Sequence, residues 1–239
     1  MLLYRLRNRL SLMGESLTGL FYPRLCPACS EVLYGNENIL CLRCTCELPR
    51  THFHSDPEND VARLFWGRVM IKDAASFFYY QKGSRYQNII HAMKYHNRQQ
   101  LGIDLGRWYG RELAGTSFSH ADMIHPVPLH GTKQKKRGYN QSERIARGIS
   151  EALGITLETD LIERAINTDT QTRKSKFERW SNVEGIFRLT SSDKLKNRHV
   201  VLVDDVVTTG STLEACAAPL LAVEGAQVSM LTLACAKMR

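Results

Sequence analysis

His199-Val200-Val201-Leu202-Val203-Asp204-Asp205-Val206-Val207-Thr208-Thr209-Gly210-Ser211-Thr212-Leu213 is the stretch that decides the fold. Val200 to Val203 are four consecutive apolar residues, and they read as a strand buried on both faces, the habit of parallel sheets covered by helices. Two carboxylates stand where that strand emerges, and a turn rich in Thr, Ser and Gly then opens a helix. Gly210 supplies the backbone freedom such a turn needs. Successive N–H groups and the hydroxyls of Thr208, Thr209, Ser211 and Thr212 converge on an anion at the helix N-terminus. Asp204 and Asp205 would repel a bare phosphate, so they must face something else, either ribose hydroxyls or a divalent cation. The pattern predicts a phosphosugar site. A capped helix after a buried strand accounts for the apolar run and one hydroxyl, but not for the ordered Asp-Asp-x-x-Thr-Thr-Gly-x-Thr series. A Walker loop is excluded, since the turn holds no Gly-Lys-Ser/Thr.

Outward from this stretch, strands are expected over 74–80, 123–128, 161–166, 200–204 and 227–234. Helices are expected over about 86–96, 101–114, 141–153 and 211–223. Strands alternating with amphipathic helices argue for an α/β fold with right-handed crossovers and a mostly parallel sheet with helices on both faces. Ligands of such sheets bind at the carboxyl ends of the strands. With 239 residues the chain can bury one substantial core, and a second small module fits only if something besides apolar burial stabilises it. Composition is that of an ordinary folded protein, at 43% hydrophobic and 23% charged, which excludes disordered and membrane-spanning classes. The net charge of +8 favours an anionic partner without naming one.

The small module is visible in Cys26-Pro27-Ala28-Cys29 and Cys41-Leu42-Arg43-Cys44, two CxxC knuckles eleven residues apart. Each knuckle aims two sulfurs at one ion, and two knuckles complete the tetrahedral shell of structural zinc. The segment between them lacks apolar residues for a core, so metal binding supplies the folding energy. A disulfide pair is the weaker account for a chain without an export signal. Cys46 stands as an alternative to Cys44 for the fourth ligand. Leu3, Leu6, Leu10, Met13, Leu17 and Leu20 recur at three- and four-residue steps, one stripe of a helix packed on its own protein. Arg5, Arg7, Arg9 and Glu15 interrupt the apolar runs there, so stable membrane insertion is not expected and a cytoplasmic location is. The expected organisation is thus a helix and zinc-ribbon-like module over 1–51, a linker over 52–73 and the α/β domain over 74–239.

The stretch quoted first closely resembles the signature of the type I phosphoribosyltransferases. That resemblance implies that Asp204 and Asp205 hold the ribose 2′- and 3′-hydroxyls of phosphoribosyl pyrophosphate (PRPP). It also implies that Thr208, Thr209, Gly210, Ser211 and Thr212 hold the 5′-phosphate, with Mg2+ accompanying PRPP. Purine-base enzymes of the group often carry an Asp where Thr208 stands, which puts a purine acceptor in doubt. Further motifs recur in order: Pro126-Val127-Pro128-Leu129, Arg137-Gly138-Tyr139-Asn140-Gln141-Ser142, Gln171 and Asn182-Val183-Glu184-Gly185-Ile186-Phe187. Together with the knuckles they resemble the ComF family over about 21–236. The resemblance implies a cytoplasmic protein of bacterial competence that handles imported single-stranded DNA beside other competence or recombination proteins. Its phosphoribosyl acceptor is unassigned. The rival implication is a non-catalytic protein that binds single-stranded nucleic acid and uses PRPP as a regulatory ligand.

Two basic segments fit either reading. Lys133, Lys135, Lys136 and Arg137 precede an amphipathic helix, and the planar fork of Arg137 suits the pyrophosphate. A nucleic-acid backbone is the other use. Residues 167–182 hold Arg173, Lys174, Lys176, Phe177, Arg179 and Trp180. In the resembled enzymes such a loop closes over PRPP and excludes water, and a DNA strand could instead stack on Phe177 and Trp180. Lys94-Tyr95-His96-Asn97-Arg98 adds charge near the same end of the sheet without a sharp role, and the eight histidines read as surface or capping residues.

Overall fold

The structure is a computed structural model that describes residues 23–95, 98–129, 137–164 and 186–237. It divides into two compact units, Met1–Leu48 and Pro49–Arg239. In the first, Leu25 bridges Val32 in antiparallel fashion, and the short helix α1 (Leu42–Cys46) follows a turn closed by Glu37, whose carboxylate accepts from Tyr34 N at 2.8 Å and Leu42 N at 2.6 Å.

The second unit is built on five parallel strands in the order β1-β7-β6-β2-β3. These are β1 (Ala74–Tyr80), β2 (Met123–Pro126), β3 (Thr156–Leu157), β6 (His199–Val207) and β7 (Gln227–Ala236). The apolar run Val200–Val203 is fully buried and places β6 at the centre, between β7 and β2. Helices α3 (Gln87–Tyr95) and α4 (Gln99–Leu113) follow β1, α5 (Gln141–Leu153) follows β2, and α6 (Ser211–Leu221) joins β6 to β7. Helix α5 packs on β2, β6 and α4, while α6 packs on β6 and β7. The α4–α5 approach depends on glycine. A Cβ on Gly106 would lie 2.2 Å from the Ile145 carbonyl oxygen, and one on Gly148 would lie 2.0 Å from that of Ile103, so the two backbones meet where any side chain would separate them.

Two expectations need correction. The strand expected over 161–166 is observed as β4 (Ile162–Arg164), and it lies outside the main sheet, paired antiparallel with β5 (Phe187–Leu189). Leu161 and Ile162 are buried, but Glu163 turns out to bond Arg188 (Nε to Oε1, 2.9 Å), so the run reads as apolar while serving a two-stranded ribbon. The stretch 52–73, expected as a linker, folds into the second unit. Asn59 caps helix α2 (Asp60–Arg63) by accepting from Val61 N and Ala62 N, and Val61, Ala62 and Phe65 enter the core. Lys72 N then donates to Val228 O at 2.8 Å and Met230 N to Asp73 O at 2.9 Å, carrying the chain into β1. The polar residues around these three hide them in the sequence.

Candidate functional site

Strand β6 runs to Val207, so Asp204 and Asp205 belong to the strand itself, with Asp204 in register with Thr232 of β7. The loop Thr208–Gly210 then turns into α6, and Gly210 adopts φ 76°, in the left-handed region where a side chain is strained. Among the described residues no side chain caps α6, which leaves its first-turn N–H groups facing an open recess. That recess is lined by Asp204 and by the run from Val206 to Leu213.

The loop is held from behind by residues the sequence did not flag. A Cβ at Gly210 would come within 2.7 Å of Phe65 Cε1, so the buried Phe65 ring packs directly on the glycine. Arg68 Nη1 donates to the Thr209 carbonyl at 2.9 Å and to Leu64 O at 3.0 Å, and Nη2 pairs with Glu214 in the first turn of α6. Thr209 and Ser211 hydroxyls lie 3.1 Å apart, exposed at the rim.

The two acids differ. Asp204 accepts from Ser142 Oγ and from Asp205 N, each at 2.8 Å. Burial, and then the neighbouring Asp205 carboxylate, push its carboxyl up to about 7. Asp205 pairs instead with Lys94 Nζ at 2.7 Å. Lys94, left without a role in the sequence, is therefore part of the site. The run from Arg137 to Ser142 turns out to be a bracket around these acids. Gly138 takes φ 79°, Tyr139 donates from its hydroxyl to Met93 O near the end of α3, and Asn140 caps α5 while its Nδ2 donates to Val127 O at 3.0 Å. Ser142 then reaches Asp204. Arg137 donates to Gln141 Oε1 at 3.0 Å and is not among the residues lining the recess.

In the first unit the sulfurs of Cys26, Cys29, Cys41 and Cys44 all lie within 4.8 Å of one another, with Cys29 and Cys41 3.6 Å apart. A tetrahedral zinc with bonds of about 2.3 Å needs sulfurs roughly 3.8 Å apart, so the four-thiol cluster is compatible with structural zinc. Burial and the adjacent Cys29 and Cys41 push the Cys44 thiol up, a cost that a cation relieves. Cys46 is exposed and outside the cluster, whose fourth thiol is that of Cys44.

The phosphoribosyl transferase domain family matches residues 121–239. The DNA utilization protein YhgH of Escherichia coli K12 is 30% identical over 203 residues, 82% of this chain and 84% of its own length. Competence protein F of Haemophilus influenzae is 33% identical over 130 residues, 52% of this chain and 57% of its own. The chain belongs to the ComF family. YhgH of Salmonella typhimurium matches at 33% over 137 residues, 56% of this chain and 60% of its own, so the match spans less than two thirds of the Salmonella and Haemophilus relatives. Among solved structures, the allosteric regulatory enzyme of purine biosynthesis aligns over 56% of the chain and 25% of its own, at 22% identity and a TM-score of 0.39.

Several ComF residues expected to contact DNA or PRPP lie outside the described residues: Lys133, Lys135, Lys136, Arg173, Lys174, Lys176, Phe177 and Trp180, along with Gln171, the run 182–185 and the apolar stripe of 3–20. Two histidines depart from the surface role expected of them. His125 in β2 is wholly buried, its Nδ1 2.8 Å from Glu158 O, and burial lowers it to about 4. His199 opens β6 with Nε2 2.8 Å from Ser229 Oγ and is likewise lowered by burial. Neither carries a local signal for burial, which follows from the place of β2 and β6 inside the sheet. Among the described residues no helix is long and apolar enough to cross a membrane.

Proposed function

We propose that this ComF protein binds PRPP with Mg2+ at the carboxyl end of β6, in a cytoplasmic role that handles single-stranded DNA. The observation that carries the reading is the recess itself, where an uncapped helix N-terminus and a hydroxyl-rich loop meet the Asp204 carboxylate, with Asp205 next to it in the strand. Five positions, Thr208 to Thr212, take the 5′-phosphate through backbone N–H groups and hydroxyls. Asp204 and Asp205 accept from the ribose hydroxyls, a role for which carboxylates beside a phosphate site are suited. Arg137 takes the pyrophosphate, and Mg2+ bound with PRPP neutralises that leaving group. Where an acceptor is present, the chain's part in glycosyl transfer is to position the ribose and stabilise charge as pyrophosphate departs.

The four-cysteine unit holds a structural zinc. The names of the Haemophilus and enterobacterial relatives, competence and DNA utilization, support the DNA role, with the basic clusters at 133–147 and 173–179 as contacts. They also favour a second reading, in which PRPP regulates a nucleic-acid-binding protein and no transfer occurs. Thermal unfolding with and without PRPP and Mg2+ tests the shared premise. A stabilisation that disappears in Asp204→Ala/Asp205→Ala supports the site, and an unchanged shift in that variant overturns it. Pyrophosphate release with candidate bases or amines then separates transferase from sensor.

A further inference from the structure

The segment by which the chain enters the second unit carries a cluster that the PRPP reading leaves unused. Arg50 bridges Phe78 beside β1, and Thr51 N donates to Phe77 O at 3.1 Å. The next turn, a short 3-10 helix over Phe53–Ser55, is fixed by the buried side chain of Asn59, whose Nδ2 donates to Phe53 O, Asp56 O and Ala74 O at 3.2, 2.6 and 2.7 Å. At the head of this turn His52 takes φ 56°, a left-handed conformation that a β-carbon disfavours and that persists only where surroundings impose it. The result sets the His52 and His54 rings side by side, centroids 6.2 Å apart. Glu112, near the end of α4, completes a group whose ligand atoms all lie within 4.8 Å of one another. Its Oε1 accepts from Arg50 Nη1 at 2.9 Å, and Arg50 is itself seated 4.8 Å from the centre of the Trp108 ring.

We propose that His52, His54 and Glu112 form a second transition-metal site, suited to zinc, distinct from the four-cysteine cluster. Two imidazoles and one carboxylate are a donor set that zinc accepts, with a fourth place left for water, whereas Mg2+ and Ca2+ favour all-oxygen shells. Bonds of about 2.0–2.2 Å place tetrahedral donors roughly 3.4 Å apart, so the observed spacing closes by side-chain rotation on a turn already fixed at both ends. Arg50 on Oε1 is the outer-shell hydrogen bond that orients a ligating carboxylate and leaves Oε2 for the ion. The metal would clip the entering segment to α4. Without it, the cluster is an Arg50–Glu112 ion pair beside two histidines, and the two accounts differ in stoichiometry.

The test is metal counting on untagged full-length chain equilibrated with zinc and freed of loose ion. Wild type should retain a second equivalent beyond the one removed by Cys26→Ser, and His54→Ala should lose that second equivalent with unchanged circular dichroism. Cobalt substitution adds an independent readout. Thiolate-to-cobalt charge-transfer absorbance should be unchanged in His54→Ala while total bound cobalt falls by one equivalent. His52→Gln, a change at an exposed position, serves if His54→Ala perturbs folding. Retention of both equivalents in these variants, or of only the cysteine-bound one in wild type, overturns the proposal.

Discussion

Asp204→Asn should make the protein more stable at pH 8 while weakening its response to PRPP. The carboxyl of Asp204 is raised from the ordinary 3.8 to about 7, first by burial and then by Asp205. The unfolded chain relieves both effects, so the folded state holds the proton more tightly and folding favours the neutral acid. The stability this contributes is complete below about pH 4 and is lost as pH rises through 7, after which the penalty is constant. Full ionisation costs on the order of 4 kcal/mol, and because Asp204 keeps some contact with solvent, roughly 1–3 kcal/mol is the working expectation. Asparagine keeps an oxygen to accept from Ser142 and removes the charge. Urea unfolding of both proteins at pH 5, 7 and 8, with zinc fixed, reads the difference directly: the gap should be small at pH 5, widen to pH 7 and then level. PRPP affinity should fall roughly 10- to 100-fold, the worth of one charge-assisted hydrogen bond. A variant less stable than wild type at pH 8, or a gap independent of pH, would refute the account of Asp204.

Gly210→Ala combines a left-handed φ, costing about 1–2 kcal/mol, with a Cβ 2.7 Å from Phe65 that adds about 1–3 kcal/mol. Denaturant unfolding should show a loss of roughly 2–5 kcal/mol, partly restored by adding Phe65→Leu, and a change within experimental error would mean that Phe65 does not hold the loop. Chelation of the cysteine-bound metal should release amide protection across 26–46 and leave that of β6 and β7 intact, measured by hydrogen exchange. Equal protection before and after chelation would exclude metal-dependent folding of the first unit. Single-stranded DNA affinity should fall with salt on a log–log slope of about 0.7 per phosphate contact, less steeply after charge reversal at Lys135 and Lys174, and salt-independent binding would exclude those contacts.

The central strand, the Thr-Thr-Gly turn into the next helix and the cysteine knuckles were legible because each concentrates its chemistry in a short run. Helix α5 over Gln141–Leu153 and strand β1 over Ala74–Tyr80 fell where periodicity placed them. What escaped was chemistry assembled across long separations. Lys94 reads as one charge among several after a helix, and nothing local reveals that it lands on Asp205, more than a hundred residues on. Phe65 and Arg68 sat in the stretch 52–73, expected as a linker, and nothing local ties them to Gly210 and Thr209 some 140 residues on. The two-residue strand β3 is too short to have any period. His125 and His199 lack a motif, and their burial depends on the sheet order.

The arrangement also explains why Arg137-Gly138-Tyr139-Asn140-Gln141-Ser142 forms a continuous motif although none of it lines the recess. Three of its polar side chains hold a backbone or an acid from another segment: Tyr139 fixes the end of α3, Asn140 fixes the loop after β2, and Ser142 fixes Asp204. The end of α3 in turn carries Lys94, so one short run sets the spacing between Lys94 and both acids. Two carboxylates side by side in a half-buried strand repel each other, and the structure meets that repulsion unevenly, with a cation on Asp205 and a raised proton affinity on Asp204. A ligand that offers hydroxyl donors to the acids and anionic oxygens to Lys94 would exchange these internal contacts without stranding a charge. A phosphorylated sugar carries both kinds of group on one scaffold, whereas a bare phosphate would meet the acids uncompensated and a neutral sugar would leave the uncapped helix N-terminus unanswered.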